Sequence, residues 1–63
     1  MMVLRGDIFM DRRSKIEREV RAVWTTRSGE LKAEMYGGSG SSTIRVDRLL
    51  DERLFIRLRP PER

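Results

Sequence analysis

The stretch RVDRLLDERLFIRL, residues 45–58, is followed after a single arginine by Pro60-Pro61, and this arrangement constrains the fold more than any other feature of the chain. Read as one helix, it would open a strand-helix-helix arrangement. Thirteen residues follow Leu50, however, and the proline pair breaks any second helix placed there. The reading that remains is strand, one helical turn, strand. TIRVD alternates with Ile44 and Val46 on one face, and RLLDER suits a short 3₁₀ turn near residues 48–52, with Leu49 or Leu50 plugging the core. LFIRL then alternates Leu54, Ile56 and Leu58 against Phe55 and Arg57.

Upstream, Gly6-Asp7 is a turn pair, and Ile8, Phe9 and Met10 suit a short first strand. The charged loop RRSK follows. Two periodicities fit SKIEREVRAVWTT. On a helix, Ile16, Val20, Val23 and Trp24 share a face, and Ser14 with Glu17 forms a capping box. On a strand, Val20, Ala22 and Trp24 face inward, with Glu19, Arg21 and Thr25 opposite. The neighbours favour the strand: VWTT is rich in β-branched and aromatic residues, RSGE is a short connection, and ELKAEMY sets Leu31, Ala33 and Met35 against Lys32, Glu34 and Tyr36. The expectation is a hairpin of 17–26 with 30–36, and a helix at about 14–24 in an α+β fold is the alternative. GGSGSS, residues 37–42, reads as a flexible hairpin loop, though its composition also matches an inserted linker. Residues 60–63 read as a loose tail.

With 63 residues and no cysteine, the chain is expected to form one small domain whose thin core must hold by packing alone. Trp24 is the natural centre of that core, since a lone tryptophan supplies a large buried area. No apolar run reaches membrane-spanning length and no signal peptide is evident, so the expected location is the cytoplasm.

About five short strands with a helical turn before the last is the layout of a small SH3-like barrel, which buries one face of every strand and leaves few open edges. RGDIFMDRR, VRAVW, SSTIRVDRLL and LFIRL together resemble small KOW-like and SH3-like proteins, including proteins of phages and actinobacteria. The resemblance implies a mainly β barrel used for binding nucleic acid or a protein partner. It carries over no catalytic residues.

Histidine and cysteine are absent, and Asp7 with Asp11 reads as turn chemistry. The expectation is therefore a binder rather than an enzyme, with no catalytic residue, no metal site and no cofactor. Twelve of the fourteen basic residues are arginine and the net charge is +4, a balance that favours phosphate-bearing partners. Strand alternation puts Arg21, Arg45, Arg57 and Arg59 on the outer barrel surface together with Tyr36 and Phe55. Arg12, Arg13 and Lys15 add phosphate contacts from the loop. These nine residues form the expected DNA- or RNA-binding set. The competing reading makes the chain a protein-interaction module, a regulator or inhibitor from a mobile element, or a structural scaffold. In that case the arginines are occupied in exposed ion pairs. A homodimer is compatible with either reading.

Overall fold

The computed structural model describes residues 2–38 and 40–59, Arg59 by its backbone alone. Five antiparallel strands form one sheet: β1 (Ile8–Asp11), β2 (Glu17–Thr25), β3 (Leu31–Gly37), β4 (Gly40–Arg45) and β5 (Phe55–Arg59), in the order β4-β3-β2-β1-β5. A single helical turn, α1 (Val46–Leu49), connects β4 to β5. The fold is mainly β, as the alternation indicates, and residues 14–24 form no helix because most of them belong to β2.

Each connection has a local chemical cause. The amide of Asp7 donates to the Leu4 carbonyl across a four-residue turn whose third residue, Gly6, has φ +99°, a value glycine adopts without strain. Between β1 and β2, the Asp11 carboxylate accepts the amides of Arg13 (2.7 Å) and Ser14 (3.2 Å), which is the Asx-turn geometry that favours aspartate at such positions. Between β2 and β3, the Thr26 hydroxyl accepts the Glu30 amide and Gly29 supplies φ +88°. GGSGSS is not the six-residue loop its composition suggests. Gly37 pairs with Gly40, and Gly40, Ser41 and Ser42 already belong to β4. At Gly37 a Cβ would lie 2.5 Å from the Glu17 carbonyl oxygen, so glycine is required there by close backbone approach.

The helical turn begins two residues earlier than RLLDER implies. Val46 leaves the strand and opens α1, with the Leu50 amide donating to its carbonyl at 3.0 Å in an α-helical bond, and the Asp51 amide then donates to the Arg48 carbonyl at 3.1 Å in the 3₁₀ manner expected near 48–52. This turn buries Val46 and Leu49 side by side. They close the core formed by Val3, Phe9, Val20, Ala33 and Met35, against which Val23, Ile44, Leu50 and Phe55 pack.

Two register shifts change the expected faces. Val20 pairs with Met35 and Ala22 with Glu34, so Arg21 is an extra residue in β2, the signature of a β-bulge. An inserted residue reverses side-chain parity downstream. Val23 therefore packs on the core, while Trp24, expected at its centre, is 40% exposed on the outer face. In β5, Phe9 pairs with Arg57 and Ile8 with Arg59, which leaves Leu58 as the extra residue, exposed to solvent. Here Phe55 and Arg57 take the inner face in place of the expected Leu54, Ile56 and Leu58.

The buried Asp7 explains that choice. It is 0% exposed, and the Arg57 guanidinium meets its carboxylate at 2.6 Å while also donating to the Met2 carbonyl and lying 5.4 Å from the centre of the Phe9 ring. A fully buried carboxylate requires an ionic or multiply hydrogen-bonded partner. Turning Arg57 inward supplies one, and the parity of β5 follows from it.

Candidate nucleic-acid interface

The nine residues expected to contact nucleic acid do not share one outer face. Arg57 and Phe55 turn inward, Arg57 onto Asp7 and Phe55 against the core. The side chain of Arg59 lies outside the described residues. Arg45 is exposed but sits 3.7 Å from both Glu30 and Asp47. Arg21 is 3.9 Å from Glu19, and its guanidinium lies 4.9 Å from the centre of the Tyr36 ring. Tyr36 is 53% exposed on the outer face, already covered in part by this cation–π contact. The strand arginines are thus divided among carboxylates, and the outer face mixes both signs of charge.

Arg12, Arg13 and Lys15 behave differently. They stand in the β1–β2 turn, where the Asp11 carboxylate holds the backbone and Lys15 adopts a left-handed φ of +64°. A second turn, between α1 and β5, repeats the same chemistry. Asp51 Oδ1 accepts the Arg53 amide at 3.0 Å, just as Asp11 Oδ1 accepts the Arg13 amide. The sequence shows this as Asp-x-Arg occurring twice, at 11–13 and 51–53.

The two turns are locked together by Arg12. Its amide donates to the Leu54 carbonyl at 3.0 Å, and its Nε donates to the Glu52 carbonyl at 2.6 Å. This contact draws Arg13 and Arg53 to the same end of the sheet and places Arg48 of α1 beside them. The result is a cleft of about 560 Å³ lined by Arg12, Arg13, Arg48 and Arg53, with Asp11, Leu54 and Phe55 completing it. Arg48 and Arg53 were not among the expected residues, although the repeated Asp-x-Arg turn is a visible signal for Arg53.

Two carboxylates at this end, Asp11 and Asp51, are committed to the backbone and, for Asp51, to one arginine. Hydrogen bonds from the amides of Arg13 and Ser14 hold the Asp11 carboxyl below the usual carboxylate range, with Arg18 and Arg13 adding attraction. The Arg53 side chain, then its amide, lowers Asp51 in the same way, and the contact raises Arg53 in turn. Arg12, Arg13 and Arg48 have no carboxylate within ion-pair distance among the described residues. Guanidinium groups converging without matching carboxylates present donor forks suited to phosphate oxygens.

The described residues contain no group of three or more side chains able to hold a metal ion, and no helix long and apolar enough to cross a membrane. Comparison with protein-family models, with curated proteins and with solved structures finds no match, so the reading of this end of the molecule rests on its own geometry.

Proposed function

We propose that this chain is a small basic binding module for nucleic acid, engaging the phosphate backbone of DNA or RNA through the arginine-lined cleft between its two aspartate-anchored turns. The observation that carries the reading is the convergence of Arg12, Arg13, Arg48 and Arg53, from three separate stretches of sequence, on one cleft. Phosphate contacts of this kind position a protein on a polyanion without reading sequence. Lys15 extends the basic surface, while Arg21 and Arg45 serve as outlying contacts. Phe55 and Leu54 give the cleft an apolar floor on which a ribose or base edge can rest. The strand order β4-β3-β2-β1-β5, with a helical turn before the last strand, supports an SH3-like barrel as the scaffold. The module is read as a binder with no catalytic step of its own, and a cytoplasmic location, where nucleic acid is accessible, fits it.

The test is the salt dependence of binding to a generic single strand and a generic duplex. Affinity should fall steeply with salt, with a log-log slope of roughly −0.7 to −0.9 per phosphate neutralised. Replacing Arg13 and Arg48 together by alanine should flatten that slope by up to about two units, while replacing Arg21 and Arg45 should change it less. No binding to any DNA or RNA at low salt would refute the proposal.

A further inference from the structure

On the other side of α1 the surface changes character. Val46 and Asp47 face away from the arginine cleft and line a groove of about 870 Å³. Its floor is formed by Val23, Val46 and Leu50, residues that also pack on or belong to the core. Its walls carry Met2, Leu4 and Leu31, which are 69%, 48% and 45% exposed. The core thus opens to solvent here, and the opening is bordered by large apolar side chains. Apolar surface concentrated in this way on a small chain marks an interaction site.

We infer that this groove is the interface of a two-fold symmetric dimer, each copy filling the other's hollow with its own 2–4 segment. The groove shares no lining residue with the arginine cleft. A two-fold interface must be self-complementary, because the same patch serves both copies. This patch meets that requirement in shape and in charge. Along the 2–4 segment Met2 and Leu4 project outward on either side of the buried Val3, so protruding side chains stand directly beside the cavity that would receive their counterparts. The rim carries both signs, Arg5 and Arg21 with Asp47. The Asp47 side chain is 78% exposed and lies 3.7 Å from Arg45 alone among the described cations. Opposed across a two-fold axis, Asp47 of one copy meets Arg5 of the other, which fixes orientation and offsets the repulsion of two positively charged chains.

The core supplies a further reason. Seven apolar residues are buried among the described residues, a thin core, and association is a common way for such small domains to gain buried area. A specific interface takes roughly 800 Å² from each partner, a modest share of the 4929 Å² the chain exposes. The groove and its walls give that area its apolar centre.

Sedimentation equilibrium of the full chain over a wide concentration range, without nucleic acid, tests the inference. The expected result is a reversible monomer–dimer equilibrium. Leu31→Asp should weaken it by about a hundredfold, a change of hot-spot size, with an unchanged β-type circular dichroism spectrum because Leu31 is already half exposed. Asp47→Arg should weaken it by about tenfold, and the double change Asp47→Arg with Arg5→Asp should restore most of the loss by exchanging the charges across the axis. A chain that is monomeric at every concentration overturns the inference, and so does a dimer indifferent to both Leu31→Asp and Asp47→Arg. An arginine cleft that binds no polyanion leaves this result untouched, which keeps the two proposals separable.

Discussion

The Asp7–Arg57 pair inside the sheet and the Asp51–Arg53 pair at its end join the same two residue types, yet they do different work. Asp7 is wholly buried, and Arg57 binds it at 2.6 Å while spanning to the Met2 carbonyl, so the pair ties the last strand to the first turn. Asp51 and Arg53 lie two residues apart at 3.1 Å with the arginine almost fully exposed, so that pair shapes one turn and leaves the guanidinium facing solvent. Burial decides the difference. In the interior, a partner removed leaves a charge that nothing solvates, whereas at the surface water replaces the partner.

The largest expected effect follows from that contrast. Arg57→Ala should destabilise the fold by about 3 to 5 kcal/mol, since it takes the ionic partner from a wholly buried Asp7 carboxylate and leaves it the Leu4 amide. In a domain of this size that loss approaches the whole stability, so chemical denaturation should show a mostly unfolded protein. Arg53→Ala, by the same measurement, should leave the midpoint almost unchanged. If Arg57→Ala melts like the parent, the buried pair does not hold β5 in place, and the explanation for the strand's parity falls with it.

A second contrast sets Phe9 against Trp24. Phe9 is buried between β5 and β2 in the sheet, with the Arg57 guanidinium over its ring, whereas Trp24 stands past the bulge at Arg21 with its side chain on the outer face. Phe9→Ala should cost about 3 to 5 kcal/mol through the cavity it leaves, and Trp24→Ala about 1 kcal/mol or less because much of the ring is already solvated. Tryptophan fluorescence gives a check that needs no mutation. Trp24 should emit at a solvent-exposed wavelength in the native state, and a blue-shifted native spectrum would place the ring in an interface or in the core.

How far these features were legible in the sequence depends on what each one is made of. The β2–β3 hairpin was readable because alternation in ELKAEMY and the RSGE connection are local signals. The bulge was not, since VRAVW carries no glycine or proline to mark an inserted residue, and one extra position reverses the expected faces along the rest of that strand. The inner face of β5 was ambiguous for a different reason. Leu54, Phe55 and Ile56 are all apolar, so either parity satisfies hydrophobicity, and the choice rests on a carboxylate fifty positions away. The arginine cleft lies between these cases. Its turns are written locally as Asp-x-Arg, but their meeting depends on the long-range contact of Arg12 with the Glu52 carbonyl.

The smallest expected effect is the response of the two exposed turns to pH. Asp11 is lowered chiefly by two backbone amides and Asp51 chiefly by the Arg53 side chain. A carboxylate depressed by folding adds stability that is fully present above its unfolded pKa and is lost as pH falls through its folded one. Both turns should therefore contribute at neutral pH and weaken together below about pH 4, where an unfolded aspartate begins to bind its proton. Asp11→Asn retains an acceptor for the amides of Arg13 and Ser14 but no titrating charge, so it should make the acid side of the melting-temperature profile shallower. Asp51→Asn should do the same and, by releasing Arg53, also make binding to a polyanion more sensitive to salt, because one more guanidinium becomes available to phosphate. Profiles of both variants that overlay the parent below pH 4 would show that the aspartates hold these turns by shape alone.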